Sequence, residues 1–306
     1  MTGGTRPGRL RHAEPVMGTV VSFDVPAWAG PALQDAVRWL HWVDATFSPY
    51  RDDSDVSRFG RGSLTLAECA PELAEVLAAC ADVCTRSGGY FTTRPGGRLD
   101  PSGYVKGWAI ERAAAMLTAA GSAEHSVNGG GDIQCVGDHG PGQPWRVGIA
   151  DPLRPGSLAL VVAGRDFAVA TSGVAERGPH VINPHTGQPA SGLASITVVG
   201  ARLAVADAYA TAAFAMGPQA RDWVESLDGY EAFAITPDGA TWQTRGFPAY
   251  LGLPAGRRGC IPQPHASHGD PGARAAAAGP RRRRAGRRRA AAGRGRGGAP
   301  PAGRRA

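Results

Sequence analysis

The chain contains a single lysine. Every other fixed cation is an arginine, yet Lys106 stands in Asp100-Pro101-Ser102-Gly103-Tyr104-Val105-Lys106-Gly107. An ammonium is a compact charge with three rotatable donors, suited to a phosphate oxygen. Asp100 and Ser102 lie just ahead of an expected helix start, where free N–H groups and the helix dipole favour an anion. The same residues also fit a plain helix cap, with Lys106 on the surface. A second segment, Asn128-Gly129-Gly130-Gly131-Asp132, is a glycine run between two expected strands. Backbone without Cβ atoms can approach a ligand closely, and a tight turn asks for the same residues. The run lacks the G-x-G-x-x-G spacing ahead of a helix, which excludes a dinucleotide fingerprint.

Three further groups could carry chemistry. Thr171-Ser172-Gly173 follows an apolar strand, and its hydroxyls could bind phosphate oxygens. His180 stands in His180-Val181-Ile182-Asn183-Pro184-His185-Thr186-Gly187. It reads as an acid or base near neutral pH, or as a satisfied structural histidine. Asp207 and Thr211 are four apart on an expected helix, so their oxygens face one way. The rest of that helix is Ala, Val, Tyr and Phe, which implies burial, and a buried carboxylate needs a partner. A hard cation such as Mg²⁺ or an arginine would serve.

These residues need elements to hold them. Gly18 to Val25 reads as a strand, and Pro31 to Phe47 as an amphipathic helix with Leu33, Val37, Leu40, Val43 and Phe47 on one face. Ser48 to Phe59, with Pro49 and three acids, reads as a loop. Glu68 to Arg86 is a second helix closed by Ser87-Gly88-Gly89. Tyr90 to Ser102 is turn-rich, and a third helix spans about Tyr104 to Ala120. Short strands are predicted at Val127, Ile133–Val136, Trp145–Ile149, Leu158–Val162, Phe167–Ala170 and Ser195–Val199. Leu203 to Met216 is a fourth helix, stopped by Gly217-Pro218. Pro237-Asp238-Gly239 marks a hairpin between Glu231–Thr236 and Thr241–Thr244. Strands and helices without strict βαβ alternation argue an α+β fold.

Composition limits the alternatives. The chain has 306 residues, 42% of them hydrophobic, and a formal net charge of +7. The last fifty residues hold 14 of the 33 basic residues and one of the 26 acids, so the rest carries 19 basic against 25 acidic residues. The body is mildly acidic, and the basic pI says nothing about nucleic-acid binding by it. We therefore divide the chain into a flexible N-terminus over 1–11, one domain over 12–253, and an Ala/Gly/Pro/Arg-rich tail over 254–306. That tail buries too little apolar surface to order itself. Its charge would draw nucleic acid or anionic lipid weakly; a solvated tail accounts for the same composition. The five cysteines form no C-x-x-C pair and read as small core residues, which suits a reducing cytoplasm. No export signal and no apolar run of roughly 18 residues is found, so a cytoplasmic location is expected.

Taken together and in order, these segments resemble the ApbE family of FAD:protein FMN transferases. The matching pieces are Pro15 to Thr19, Phe47 to Arg51 with Ser54 and Ser57 to Phe59, Asp100 to Gly107, Asn128 to Ile133, Thr171 to Gly173, His180 to Gly187, and Ala206 to Ala212 around Asp207 and Thr211. The resemblance covers roughly residues 12 to 250. It implies a T-fold-like architecture and an enzyme that uses FAD as substrate and Mg²⁺ as cofactor. Such an enzyme transfers FMN to a Ser or Thr hydroxyl of an acceptor protein bearing a flavinylation motif, with release of AMP. By matching position, Asp207 and Thr211 would hold Mg²⁺, with backbone carbonyls from Gly103 and Ala204. Met17, Tyr50, Asp100, Lys106 and Val181 would line the FAD site, with Tyr90, Phe91 and Thr92 as one wall, and His180 would help deprotonate the hydroxyl. Thr92 stands where many members carry Asp, Asn183 replaces a common Asp, and the stretch from Phe91 to Asp100 is shorter than in many members. Two other activities stay open: an FAD pyrophosphatase with water in place of the hydroxyl, and a flavin-storage protein.

Overall fold

A computed structural model describes residues 8–174 and 181–252. The chain divides into two compact units, Met1–Gly256 and Arg257–Ala306, and the second lies outside the described residues, as does the predicted tail. The elements in order are strands β1 (Arg9–Val16) and β2 (Thr19–Pro26), helices α1 (Gly30–Phe47), α2 (Asp55–Gly60), α3 (Pro71–Arg86) and α4 (Ser102–Ala119), and strands β3 (His125–Gly129) to β4 (Asp132–Val136). Then come β5 (Trp145–Ala150), β6 (Leu158–Gly164), β7 (Phe167–Gly173), β8 (Ser195–Gly200), α5 (Leu203–Met216), α6 (Ala220–Glu225), β9 (Tyr230–Ile235) and β10 (Thr241–Gln243).

Eight strands form one sheet in the order β1-β2-β3-β4-β7-β8-β9-β10, and β5 pairs with β6 in a separate hairpin. Every pairing between these strands is antiparallel. The architecture is α+β, as the unalternated pattern of elements implied. Because side chains alternate across a strand, the sheet feeds two cores. Ala168, Ala170, Ile196, Val198, Ala232 and Ala234 point into a core shared with α1, α3, α4 and α5. Phe167, Val169, Val199, Phe233 and Ile235 point the other way, against Trp145, Ile149 and Val162 of the β5–β6 hairpin and Phe247.

The helices differ in kind. α1 and α3 bury one stripe each and expose the rest, whereas α5 buries twelve of its fourteen residues. An Ala-rich helix with that burial sits inside the molecule, and its small side chains let neighbours come close. The predicted boundary of the flexible N-terminus needs correction: Arg9, Leu10 and Arg11 belong to β1. Arg9 and Arg11 both bond Asp24 across the β1–β2 register, so the strand satisfies charges that read as solvent-exposed chain. The predicted loop over Ser48 to Phe59 contains α2, whose N-cap Ser54 accepts the Ser57 N–H at 3.1 Å. Thr171-Ser172-Gly173 lies within β7 rather than after a strand, because Thr171 to Gly173 pair with Thr197 to Ser195.

Candidate functional site

The α4–α5 crossing is closer than ordinary side chains allow. A Cβ on Gly107 would lie 2.7 Å from the Leu203 carbonyl oxygen, 2.8 Å from Asp207 Cβ and 3.1 Å from Ala204 Cα. One turn earlier, a Cβ on Gly103 would meet Phe91 Cε2 at 3.3 Å and Thr211 Oγ1 at 3.5 Å. The i, i+4 glycines of α4 thus face the i, i+4 pair Asp207 and Thr211 of α5. The crossing is pinned by hydrogen bonds as well as by shape. Asp207 Oδ2 accepts the Gly107 N–H at 3.0 Å, and Glu111 of α4 accepts the Ala204 N–H at 2.9 Å while bonding Arg202 Nε at 2.9 Å. Glu111 so caps the first turn of α5, which no side chain of its own caps.

Charges gather along this seam. Lys106 Nζ lies 3.5 Å from Asp207 Oδ2 and forms an ion pair with Asp132 Oδ2. Asp132 opens β4 and is wholly buried. Its Oδ1 accepts the Thr171 N–H at 2.9 Å, and Thr171 Oγ1 in turn lies 2.8 Å from Thr197 Oγ1. Among the described residues, the partner of Asp132 Oδ2 is the Lys106 ammonium. Among the described residues, the Asp132 and Asp207 carboxylates thus share the Lys106 ammonium. Nearby, burial pushes the Tyr104 phenol up to about 12 and the Cys135 thiol upward, so neither titrates near neutral pH.

The glycine run proves to be a tight turn. Gly130 and Gly131, at φ 60° and 90°, form the two-residue loop between β3 and β4, and the Asn128 side chain accepts the Gly131 N–H. The β1–β2 loop has the same form at Met17 (φ 54°) and Gly18 (φ 69°), and a Cβ on Gly130 would meet Thr19 Oγ1 at 2.9 Å. The two hairpin tips thus stand side by side. Met17 is one of two non-glycine residues described with positive φ, a strained conformation that functional sites often retain.

The predicted residues divide into those that meet at the seam and those that do not. Gly103, Lys106, Ala204, Asp207 and Thr211 come together, with Phe91 buried against Gly103. Sequence reading assigned Lys106 and Asp100 to the nucleotide and the later helix to the metal. The 3.5 Å approach of Lys106 to Asp207 joins those roles in one cluster. The N-cap of α4 is Pro101, without a side-chain cap bond; Asp100, one residue earlier, accepts the Ser102 N–H on its Oδ1 at 3.0 Å in a local turn. Tyr50 is 85% exposed on the loop between α1 and α2. Tyr90 bonds Gln219 and stacks edge-on against His185, and Thr92 Oγ1 accepts the Arg94 N–H. Val181 packs partly buried against the helical core, and its carbonyl accepts the Ala190 N–H. His180 lies outside the described residues.

Asp132 and Glu111 were missed by sequence reasoning. The glycines beside Asp132 drew attention to the backbone, and nothing local marked its carboxylate as the partner of a lysine 26 positions earlier. A cavity of about 240 Å³ is lined by Asp52, Val56, Ser57, Gly60, Arg61, Arg98 and Leu99. A larger one of about 370 Å³, between α6 and β10, contains none of the site residues.

Comparison with known proteins bears on the same residues. The model of the ApbE family matches residues 17–96 and 92–234. A FAD:protein FMN transferase of Rhodobacter capsulatus is 37% identical over 164 residues, covering 50% of this chain and 31% of that protein. One from Escherichia coli K12 is 30% identical over 166 residues, covering 50% and 47%. The matched part thus spans between about a third and a half of these curated relatives. Among solved structures, the ApbE protein of Thermotoga maritima superposes with a TM-score of 0.74 at 20% identity, over 80% of this chain and all of that one. The flavin transferase ApbE of Vibrio cholerae gives 0.71 at 22%, over 80% and 99%. The structures establish a shared fold, and the family model matches well over half of the sequence: the chain belongs to the ApbE family.

Proposed function

We propose that this domain is a Mg²⁺-dependent FAD:protein FMN transferase that moves FMN from FAD to a Ser or Thr hydroxyl of an acceptor protein and releases AMP. The observation that carries this reading is the meeting of Gly103, Lys106, Ala204, Asp207 and Thr211 at one helix crossing too close for a Cβ. The relatives named for that activity support it. The donor set fits the ion: a carboxylate from Asp207, a hydroxyl from Thr211 and carbonyls from Gly103 and Ala204 are all hard oxygens. Bound there, Mg²⁺ would offset charge on phosphoryl oxygens.

The chain's own residues do the rest. The acceptor oxygen attacks the FMN phosphorus, the bond from that phosphorus to the oxygen of the AMP phosphate breaks, and the hydroxyl proton passes to a base. His180 is our candidate for that base. Lys106 puts a fixed positive charge by the pyrophosphate. Asp100 at the α4 entrance, Met17 on its strained turn, Tyr50, the Tyr90–Thr92 wall and Val181 would line the FAD. The free thiols of Cys69, Cys80, Cys84 and Cys135 support a cytoplasmic enzyme, and no described helix is long and apolar enough to cross a membrane.

One assay tests this. The protein is incubated with FAD, Mg²⁺ and an acceptor bearing a Ser/Thr flavinylation motif. A fluorescent acceptor band that survives denaturation, with AMP in equal amount, is the expected result. FMN and AMP without labelled acceptor would replace transferase by pyrophosphatase, and FAD bound but intact would replace it by storage.

A further inference from the structure

The two cavities differ in charge. The one between α6 and β10 is balanced: Arg221 and Arg245 line it with Asp222 and Glu225, and Arg245 pairs with Glu225 at 3.3 Å. The other, of about 240 Å³, is not. Buried Val56, Ser57 and Leu99 form its inner wall, and exposed Arg61, Arg98 and Asp52 its rim. Among the described residues, the Arg98 side chain has no hydrogen bond or ion pair. Arg61 donates to the Asp52 carbonyl at 2.8 Å, and the Asp52 carboxylate, 3.8 Å away, is fully exposed. An ion pair so solvated contributes little. Two guanidiniums thus line this cavity against one solvated carboxylate.

We propose that this cavity, between α2 and the segment ahead of α4, binds a phosphomonoester at a site separate from the α4–α5 seam. A guanidinium keeps its charge at any working pH, and its planar fork of donors matches phosphate oxygens. Arg98 and Arg61 together hold the dianion. The Ser57 hydroxyl, whose present bond to the Pro49 carbonyl is long at 3.4 Å, turns to it as a further donor. The walls are close-set: a Cβ on Gly60 would lie 3.1 Å from Leu99 Cβ. Pockets for drug-sized ligands begin at roughly 300 Å³, so this one takes a phosphate and part of its nucleoside but not a whole dinucleotide. Val56 and Leu99 supply the apolar surface for the nucleoside. The reaction proposed above releases such a phosphomonoester, and the choice of AMP as occupant rests on that reading. Both walls continue into residues proposed for FAD, since Ser57 and Arg61 bond Pro49 and Asp52 around Tyr50, and Leu99 precedes Asp100.

Arg98→Gln tests this, because Arg98 is exposed and its side chain has no partner to lose, so the urea midpoint should stay at its wild-type value. AMP is titrated by calorimetry into the full chain at fixed ionic strength, without FAD, Mg²⁺ or acceptor. Wild type is expected to bind AMP, and Arg98→Gln to bind it about 10-fold or more weakly, as expected for a lost charge-assisted hydrogen bond. Inorganic phosphate should displace AMP, and adenosine should not bind. AMP binding that Arg98→Gln leaves unchanged, adenosine that binds as tightly as AMP, or no AMP binding at all overturns the proposal. A second titration is made with saturating FAD, whose binding is followed by flavin fluorescence. AMP is expected to bind as before, and loss of its binding would place it in the FAD site and overturn a separate one. FAD that fails to bind would sink the transferase reading instead, and the effect of Arg98→Gln on AMP would still decide this site.

Discussion

On the hairpin face of the sheet, Phe233 and Phe247 stack at 5.8 Å and Phe167 lies parallel to Tyr250, with Trp145, Ile149 and Val162 closing the layer. On the helical face, α4 and α5 meet through glycine and alanine, and the space that large side chains would fill is occupied by backbone, carboxylates and one ammonium. The first arrangement stabilises through buried apolar area, roughly 25 cal/mol per Å². The second forgoes that area at the crossing and brings polar oxygens within reach of one another. Binding and catalysis need such groups, and a neighbouring apolar layer can supply the stability they do not.

The largest effect should come from the hairpin face. Phe247 is fully buried, and Phe247→Ala should cost about 3–5 kcal/mol of unfolding free energy, read from urea denaturation. The protein that remains folded should turn over at a rate near wild type. A turnover loss larger than the loss of folded fraction would show that the two faces are coupled. Asp207→Asn should reverse that pattern. It keeps an acceptor for the Gly107 N–H, so the urea midpoint should move little, while turnover falls about 100-fold, equivalent to about 2.7 kcal/mol. Unchanged turnover would remove Asp207 from the reaction. Between these extremes lies Gly107→Ala, whose added methyl meets the Leu203 carbonyl at 2.7 Å. Backbone cannot swing aside as a side chain can, so about 1–3 kcal/mol of stability and most of the activity should be lost together. Stability and activity that stay at wild-type values would mean the seam is looser than its geometry.

Much of this comparison was legible in the sequence, and the gaps have physical causes. The fourth helix was read with its observed bounds, Leu203–Met216, because a continuous Ala-rich run ended by Gly217-Pro218 has few other conformations. Helix α1 was read to within one residue for the same kind of reason. Strand β1 was missed because Arg9, Arg11, His12 and Glu14 break the apolar alternation, and Asp24, the partner of both arginines, and His41, a partner of Glu14, are distant in sequence. Helix α2 is six residues long and carries too little periodicity to detect. The metal candidates were legible through i, i+4 spacing on α5 and through the family resemblance. Asp132 and Glu111 were not, since what marks them is a partner on another element.

A buried histidine sharpens the contrast within the helical face itself. His125, at the start of β3, is fully buried between Ser122 Oγ at 3.1 Å and the Ala114 carbonyl of α4 at 3.0 Å. Desolvation lowers its pKa to about 4, against the opposing hydrogen bonds to Ala114 and Ser122, with Arg9 adding slightly to the shift. Above pH about 6.5 both folded and unfolded chains hold the imidazole neutral, and His125 adds no pH dependence. As pH falls from 6.5 toward 4, the unfolded chain binds a proton that the folded chain refuses, so stability falls with pH across that window. At pH 5.5 the loss should be about 1.4 kcal/mol relative to pH 7.5. Urea midpoints of the wild type and of His125→Gln, measured at both pH values, isolate this group from the carboxylates that titrate lower. The variant should lose that part of the slope. An equal slope in both proteins would mean that His125 accepts its proton in place, and that the helical face tolerates charge away from the α4–α5 seam as readily as at it.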